Sequence, residues 1–182
     1  MEQLTDEEIL EMYGVEDSRN MALHHLVKKY EERLYWHIRR MVMDHDDTHD
    51  ILQDTFVKVW RGLASFRGDS RLYTWIYRVG TNECIDFLNK KKRQNIMSSD
   101  HAGYRMSRSL ESDNFFKGDE IQLKLQKAIL TLPEKQRIVF NMRYYDETPY
   151  DMMSEILDTS AGALKASYHI AAKKVEDYLL NH

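Results

Sequence analysis

The chain has 182 residues, 42% of them hydrophobic and 31% charged, with a formal net charge of −4 at neutral pH. That suffices for one ordinary domain or two small ones, and seven glycines and two prolines beside long amphipathic runs exclude a β-sandwich in favour of helices. No apolar run reaches the roughly 18 residues of a membrane span, the acidic start "MEQLTDEEIL" lacks the basic region of a signal peptide, and the single Cys84 rules out an internal disulfide.

These features predict a cytoplasmic protein with no membrane insertion of its own. The acidity argues weakly against a nucleic-acid binder. Neither half is basic: residues 1–93 carry 15 basic and 17 acidic side chains, and 119–182 carry 8 and 10. Any nucleic-acid binding must use local patches, with help from a partner.

In chain order, Thr5 and Glu8 have capping-box spacing before a short helix. Leu23, Leu26, Val27, Tyr30, Leu34, Ile38 and Met41 recur every three or four residues and predict one long helix. After the polar "MDHDDTHD", Ile51, Thr55, Phe56, Val59 and Leu63 predict a second. A break at Phe66–Ser70 pivots on Gly68. Leu72, Trp75, Ile76, Val79, Ile85 and Leu88 mark a third, ending in "NKKKRQ", whose cations suit a helix C-terminus. Residues 94–118 lose the periodicity, collect Ser, Asp, Asn and Gly, and read as a flexible linker.

The block beyond it predicts four short helices. Pro133 stands at a first-turn position. Thr148 reads as an N-cap with Pro149 at the first helical position, and Ser160 caps the last helix. Between those two helices "DTS" makes a three-residue turn, with Asp158 where a left-handed residue is needed. Helix, short turn and helix form a helix-turn-helix pattern. The fold class is therefore all-α: two small helical domains joined by a flexible linker, the C-terminal one a helix-turn-helix.

Several constellations suggest chemistry. The last helix has an apolar face of Leu164, Tyr168, Ala171 and Val175, and an opposite face offering Lys165, Ser167, His169, Lys173 and Lys174. That face suits phosphates and base edges in a major groove, or simply water around a bundle helix. In "FRGDSRLYTWIYRVGTN", residues 66–82, the spacing assigns Leu72, Trp75, Ile76 and Val79 to the core. Arg71, Tyr73, Arg78, Asn82, Asp86 and Asn89 are left outside, with Phe66, Arg67 and Asp69 on the preceding loop. Cations beside places for splayed bases fit single-stranded DNA, and "KKKR", Lys90 to Arg93, adds attraction to a phosphate backbone. "DHDDTHDILQD" sets His45 and His49 four apart among five carboxylates. It reads as an acidic, partly apolar surface for a basic protein partner, with metal or nuclease chemistry as a remote rival. Cys84 reads as a small core residue.

"DILQDTFVKVWRGLASFRGDSRLYTWIYRVGTNECIDFLNKKKR" resembles region 2 of an extracytoplasmic-function (ECF) RNA polymerase sigma factor of the sigma-70 family. "LQKAILTLPEKQRIVFNMRYYDETPYDMMSEILDTSAGALKASYHIAAKKVEDYL" is similar to region 4, its "GALKASYH" variant resembling factors of the Bacteroidetes group. The resemblance implies region 2 over 1–93, a linker over 94–118 and region 4 over 119–182. It implies a non-enzymatic factor without cofactor or metal, whose partners are core RNA polymerase, promoter DNA and an anti-sigma factor. Polymerase binding would fall on Asp50, Gln53, Asp54, Phe56, Val57 and Trp60. Capture of a flipped minus-ten base would fall on Phe66, Arg67, Gly68, Asp69, Ser70 and Arg71, with Arg78 on the backbone. Asn82 and Asp86 would read upstream minus-ten bases, and Lys90, Lys91, Lys92 and Arg93 would hold the adjoining backbone. Lys165, Ser167, His169 and Lys173 would meet the minus-thirty-five element. Ser167, Ile170 and Ala172 stand where family members often carry arginine, and Asp158 replaces a common glycine. The first departure implies a different or weaker sequence preference at minus thirty-five, and the second weighs less. A regulator binding an operator without polymerase is the nearest rival reading.

Overall fold

The computed structural model describes residues 4–97 and 120–182, and among these the secondary structure is helical. Helix α1 (Asp6–Gly14) opens on the capping box: Glu8 N–H donates to the Thr5 hydroxyl (3.2 Å) and Thr5 N–H to the Glu8 carboxylate (2.7 Å). A single 3-10 turn, Glu16–Ser18, leads into α2 (Arg19–Val42), which stops at Met43 in a left-handed conformation. Asp44 caps α3 (His45–Leu63) by accepting from Asp46 N–H and Asp47 N–H, each at 3.0 Å. The loop that follows turns at Gly68, φ 76°, where glycine adopts positive φ without a Cβ clash. Helix α4 then runs Leu72–Met97.

Helix α4 overruns the expected boundary, because Gln94 to Met97 contain no glycine or proline to stop it. The rest of the expected linker lies outside the described residues. Beyond it come α5 (Glu120–Leu130), α6 (Glu134–Tyr144), α7 (Tyr150–Leu157) and α8 (Ala161–Asn181). The last is long, not short. Two cap assignments also change. Pro133 and Pro149 are the N-caps of α6 and α7, with ψ of 145° and 147°, rather than first-turn residues. Thr148 is 2% exposed and its hydroxyl finds no partner, so it packs and does not cap. Asp158 takes the left-handed turn at φ 49°, ψ 46°, and the Ser160 hydroxyl accepts from Ala163 N–H at 3.3 Å.

The apolar stripes of α1 to α4 meet around Ile9, Leu26, Leu34, Ile38, Val59, Ile76, Tyr77 and Cys84, the burial that drives such helices together. This core does not stop at the end of the first domain. It continues without a break into Ile138, Val139 and Met142 of α6, Met153 and Ile156 of α7, and Leu164 of α8. A smaller cluster, Ala128, Ile129, Leu132, Phe140, Ala171 and Val175, closes the far side of the second domain. In this arrangement α6 lies on α2 and α7 lies on α4.

A polar seam accompanies the apolar one. His37, 1% exposed, contacts the Asp146 carboxylate through Nδ1 (2.8 Å) and the Thr81 hydroxyl through Nε2 (2.9 Å). Arg40 donates to the other Asp146 oxygen at 2.7 Å and lies over the Tyr145 ring, 4.5 Å from its centroid. Asn141 donates to the Arg40 carbonyl at 3.1 Å. A buried carboxylate needs such partners, since an unpaired charge in the interior is costly.

Candidate nucleic-acid and polymerase interfaces

On α3 the i, i+3, i+4 spacing sends Ile51, Leu52, Thr55 and Val59 inward and leaves Asp50, Gln53, Asp54 and Val57 exposed. Val57 stands out among them, an apolar side chain 42% open to solvent. Phe56 and Trp60 are half-buried beside it, and Tyr13 of α1 packs edge-on against Trp60 at 5.2 Å. The result is an acidic surface with an apolar strip, the chemistry that a basic, amphipathic helix of a partner matches. The structure thus brings together all six residues assigned to polymerase binding. It also adds Tyr13, whose place no periodicity in α3 reveals.

The loop of residues 66–71 is anchored from both sides. Phe66 packs on Trp75 at 5.1 Å, and Trp75 in turn presses on Gly62, where a Cβ would meet its ring at 2.7 Å. Trp75 is half-buried, in keeping with its assignment to the core side of α4. Arg67, Gly68, Asp69 and Arg71 remain exposed and Ser70 half-buried. Gly68, Asp69, Ser70 and Arg71 line one wall of an open cleft of about 880 Å3. The N-terminus of α1 forms another wall, and Met152 and Glu155 of α7 a third. A cleft with cations, hydroxyls and backbone beside aromatic rings has the means to hold a splayed base.

Along α4, Asn82, Asp86, Asn89 and Lys90 are exposed. Tyr73, expected outside, instead stacks on Tyr77 at 4.2 Å and is half-buried, because the rings of Tyr30 and Tyr77 form a layer it completes. Arg78 is half-buried and donates to the Glu155 carbonyl of α7. Lys91 pairs with Asp47 (2.6 Å) and Lys92 with Glu134 of α6, while Arg93 reaches back to the Asn89 carbonyl at 3.3 Å. On α8 the apolar face is as the periodicity predicts, with Leu164, Ala171 and Val175 buried. Lys165, His169 and Lys173 are exposed and Ser167 half-buried.

His45 and His49 are real neighbours, with ring centroids 4.5 Å apart. The Tyr35 hydroxyl engages His45 Nδ1 at 2.9 Å, and no third histidine, cysteine or carboxylate converges on the pair among the described residues. That is an aromatic corner at the start of α3, not a metal-ligand set. Cys84 is fully buried, and burial pushes its thiol up, away from the reactive thiolate. The cluster of His37, Arg40, Thr81 and Asp146 is the part of the molecule that sequence reasoning passes over. One signal for it exists: His37 falls on the same α2 face as Leu34, Ile38 and Met41.

Comparison with known proteins gives the same picture at family scale. Residues 26–94 match the model of Sigma-70 region 2, and residues 122–175 that of Sigma-70, region 4. The chain is 27% identical to the ECF RNA polymerase sigma-E factor of Haemophilus influenzae, over 97% of this chain and 96% of that one. It is 28% identical to the sigma-E factor of Escherichia coli K12, over 97% and 95%. Among solved structures it resembles CnrH in complex with the cytosolic domain of CnrY (TM-score 0.70, 18% identity, 96% of each chain). It also resembles the sigma factor RpoE of Bartonella quintana in complex with the anti-sigma factor NepR (TM-score 0.65, 17% identity, 92% and 99%). Two region models in the right order on a chain whose described residues are helical, with relatives matched over nearly their whole length, settle the matter: the chain belongs to the ECF sigma factors of the sigma-70 family, non-enzymatic factors of transcription initiation.

Proposed function

We propose that this sigma factor divides its work as follows: residues 1–93 hold core RNA polymerase and the minus-ten element, and residues 119–182 hold the minus-thirty-five element. The observation that carries this reading is the exposed acidic-apolar face of α3, Asp50, Gln53, Asp54, Val57 with Phe56 and Trp60. The α3 face takes the polymerase. The cleft at Phe66, Arg67, Gly68, Asp69, Ser70 and Arg71 takes a flipped base, and Arg78 the adjoining backbone. Asn82 and Asp86 read bases upstream, and Lys90, Lys91, Lys92 and Arg93 steer the phosphates. Lys165, Ser167, His169 and Lys173 enter the minus-thirty-five groove. The site of action is the cytoplasm, where promoter DNA lies. An anti-sigma factor is a fitting further partner, because the similar sigma factor RpoE was solved with the anti-sigma factor NepR, and the similar CnrH with the cytosolic domain of CnrY.

Run-off transcription with purified core polymerase tests the reading directly. Asp54→Arg places a cation on the exposed α3 face, so it abolishes run-off product and core binding while the far-ultraviolet circular dichroism stays that of the parent. An operator-binding regulator would lose neither its DNA binding nor its function on this change. Retained run-off with Asp54→Arg would refute the assignment of α3.

A further inference from the structure

Arg33 lies on α2, an element to which the sequence assigns no contact with DNA. Its helical neighbours three and four residues away are Lys29, Tyr30, Trp36 and His37, so no acid stands where an ion pair along the helix would form. Glu31 and Glu32, two and one residues before it, do not face it. The carboxylate that reaches this part of α2 from α1, Asp6, is taken by Lys29 (2.7 Å) and by the Tyr30 hydroxyl (2.6 Å). Arg33 is exposed and pairs with no carboxylate among the described residues. Its guanidinium instead stands over the Tyr73 ring, 5.5 Å from the centroid. Tyr73 in turn stacks on Tyr77 at 4.2 Å, with Tyr30 at 6.3 Å. Burial raises the hydroxyls of all three tyrosines, and the Arg33 charge opposes that rise at each, as a cation fixed over one layer of rings must.

Tyr73 also lines the cleft beside the loop of residues 66–71, and so does Arg71. Two guanidinium groups that make no ion pair among the described residues therefore flank one cleft: Arg71 in its wall and Arg33 over Tyr73 at its edge. The walls themselves carry the carboxylates of Glu7 and Asp69, both exposed. A phosphate inside would meet like charge, whereas a base inside meets acceptors for its amino groups. A nucleotide with its base inward thus leaves its phosphates outside, where the cations are. These groups all belong to α1, α2, α4 and the loop before α4, so their arrangement does not depend on the second domain.

We infer that Arg33 is a phosphate contact of the melted promoter strand: the strand puts a base into the cleft, and its backbone continues over the Arg33–Tyr73 pair onto α2. The inference rests on the minus-ten assignment of the cleft proposed above, and it adds α2 to the DNA surface. A guanidinium suits a phosphate because its planar fork donates two hydrogen bonds at once. The ring beneath holds that fork in place beforehand, which lowers the ordering cost of the contact. A phosphate contact carries no sequence information, so Arg33 fixes where the strand lies and leaves the choice of base to the cleft. Each phosphate neutralised in this way releases counterions, with a salt slope of about 0.7 per contact for a single strand.

The test uses holoenzyme assembled from core polymerase and the full chain, with Arg33→Gln and Arg33→Lys beside the parent. The probe is a fluorescein-labelled promoter duplex, premelted by mismatches across the minus-ten element upstream of a start site mapped by run-off transcription. Anisotropy reads its affinity over a series of salt concentrations. Arg33→Gln lowers the slope of log affinity against log salt by about 0.7 and weakens binding about fourfold near 150 mM salt, whatever bases the bubble holds. Arg33→Lys keeps the charge and the parent's slope. One uncharged methylphosphonate, at a phosphate next to the base in the cleft, costs the parent as much as Arg33→Gln does and costs that variant nothing more. If Arg33→Gln loses the parent's circular dichroism, Arg33→Met, whose unbranched chain still covers the Tyr73 ring, takes its place. A variant with the parent's slope overturns the inference even if its thermal midpoint is lower, since loosening the tyrosine layer moves stability and not the slope. A methylphosphonate scan of both strands that is identical for parent and variant overturns it too. Failure of the cleft reading shows separately, as a parent whose affinity no abasic site in the minus-ten element reduces.

Discussion

Asp158 shows how much one backbone conformation costs. It ends α7 at φ 49°, ψ 46°, a region where an L-residue pays about 1–2 kcal/mol and glycine pays little. Asp158→Gly therefore raises stability, by about 0.5–1 kcal/mol after the glycine's extra unfolded-state entropy, seen as a higher midpoint in urea. The tyrosines make a second point at this scale. Burial, with Tyr144 nearby, pushes the Tyr145 hydroxyl up to about 12. Burial raises Tyr30 and Tyr77 further, helped by Asp6 at Tyr30 and by Tyr73 at Tyr77. The unfolded chain loses these protons near pH 10, whereas the folded chain keeps them. Their contribution is thus whole below about pH 10 and declines as pH rises through 12. A urea midpoint that falls between pH 9.5 and 11.5 checks the sign, and one that climbs would contradict it.

At the scale of elements, the helices that face a partner are built by the same rules as those that do not. The first turn of α3 is capped by Asp44, and the start of α8 by Ser160. A cap matters more at α8, because the cap positions the turn that aims Lys165 and His169. Ser160→Ala leaves Ala163 N–H without its side-chain acceptor and costs about 0.5–2 kcal/mol, measurable as a lower thermal midpoint. It should also weaken minus-thirty-five contacts in holoenzyme footprints, whereas minus-ten protection persists. Periodicity located all of the long helices, since amphipathic burial and helical spacing are one fact. It misplaced their ends where nothing local forces a stop, as at Met97, and where an extended proline does the capping, as at Pro133 and Pro149. Tyr73 went astray for a related reason: its exposure depends on the rings of Tyr30 and Tyr77, and only one of those is on its own helix.

At the scale of the whole molecule, a net charge of −4 governs how the factor meets DNA. With no basic domain to gather counterions, affinity for duplex promoter has to be assembled with the polymerase. The free chain should bind duplex promoter at least 100-fold more weakly than the holoenzyme at 150 mM salt, as judged by gel shift. Equal and salt-resistant binding with and without core would contradict this.

What the amino-acid sequence determined by itself is everything that local spacing controls: the all-α class, the capped helix-turn-helix with its left-handed Asp158, the buried faces of α2, α3, α4 and α8, and the exposed residues of α3. Those follow from a 3.6-residue period and from the conformational limits of single residues. What only the tertiary structure decided is where the second domain sits. The pair His37 and Arg40 is far in the chain from Thr81 and from Asp146, and a histidine on an apolar face has no meaning until the carboxylate it serves arrives from another domain. Pairing between distant residues is invisible to any local pattern, because its free energy comes from removing the partners from water together, and that happens only in the packed molecule.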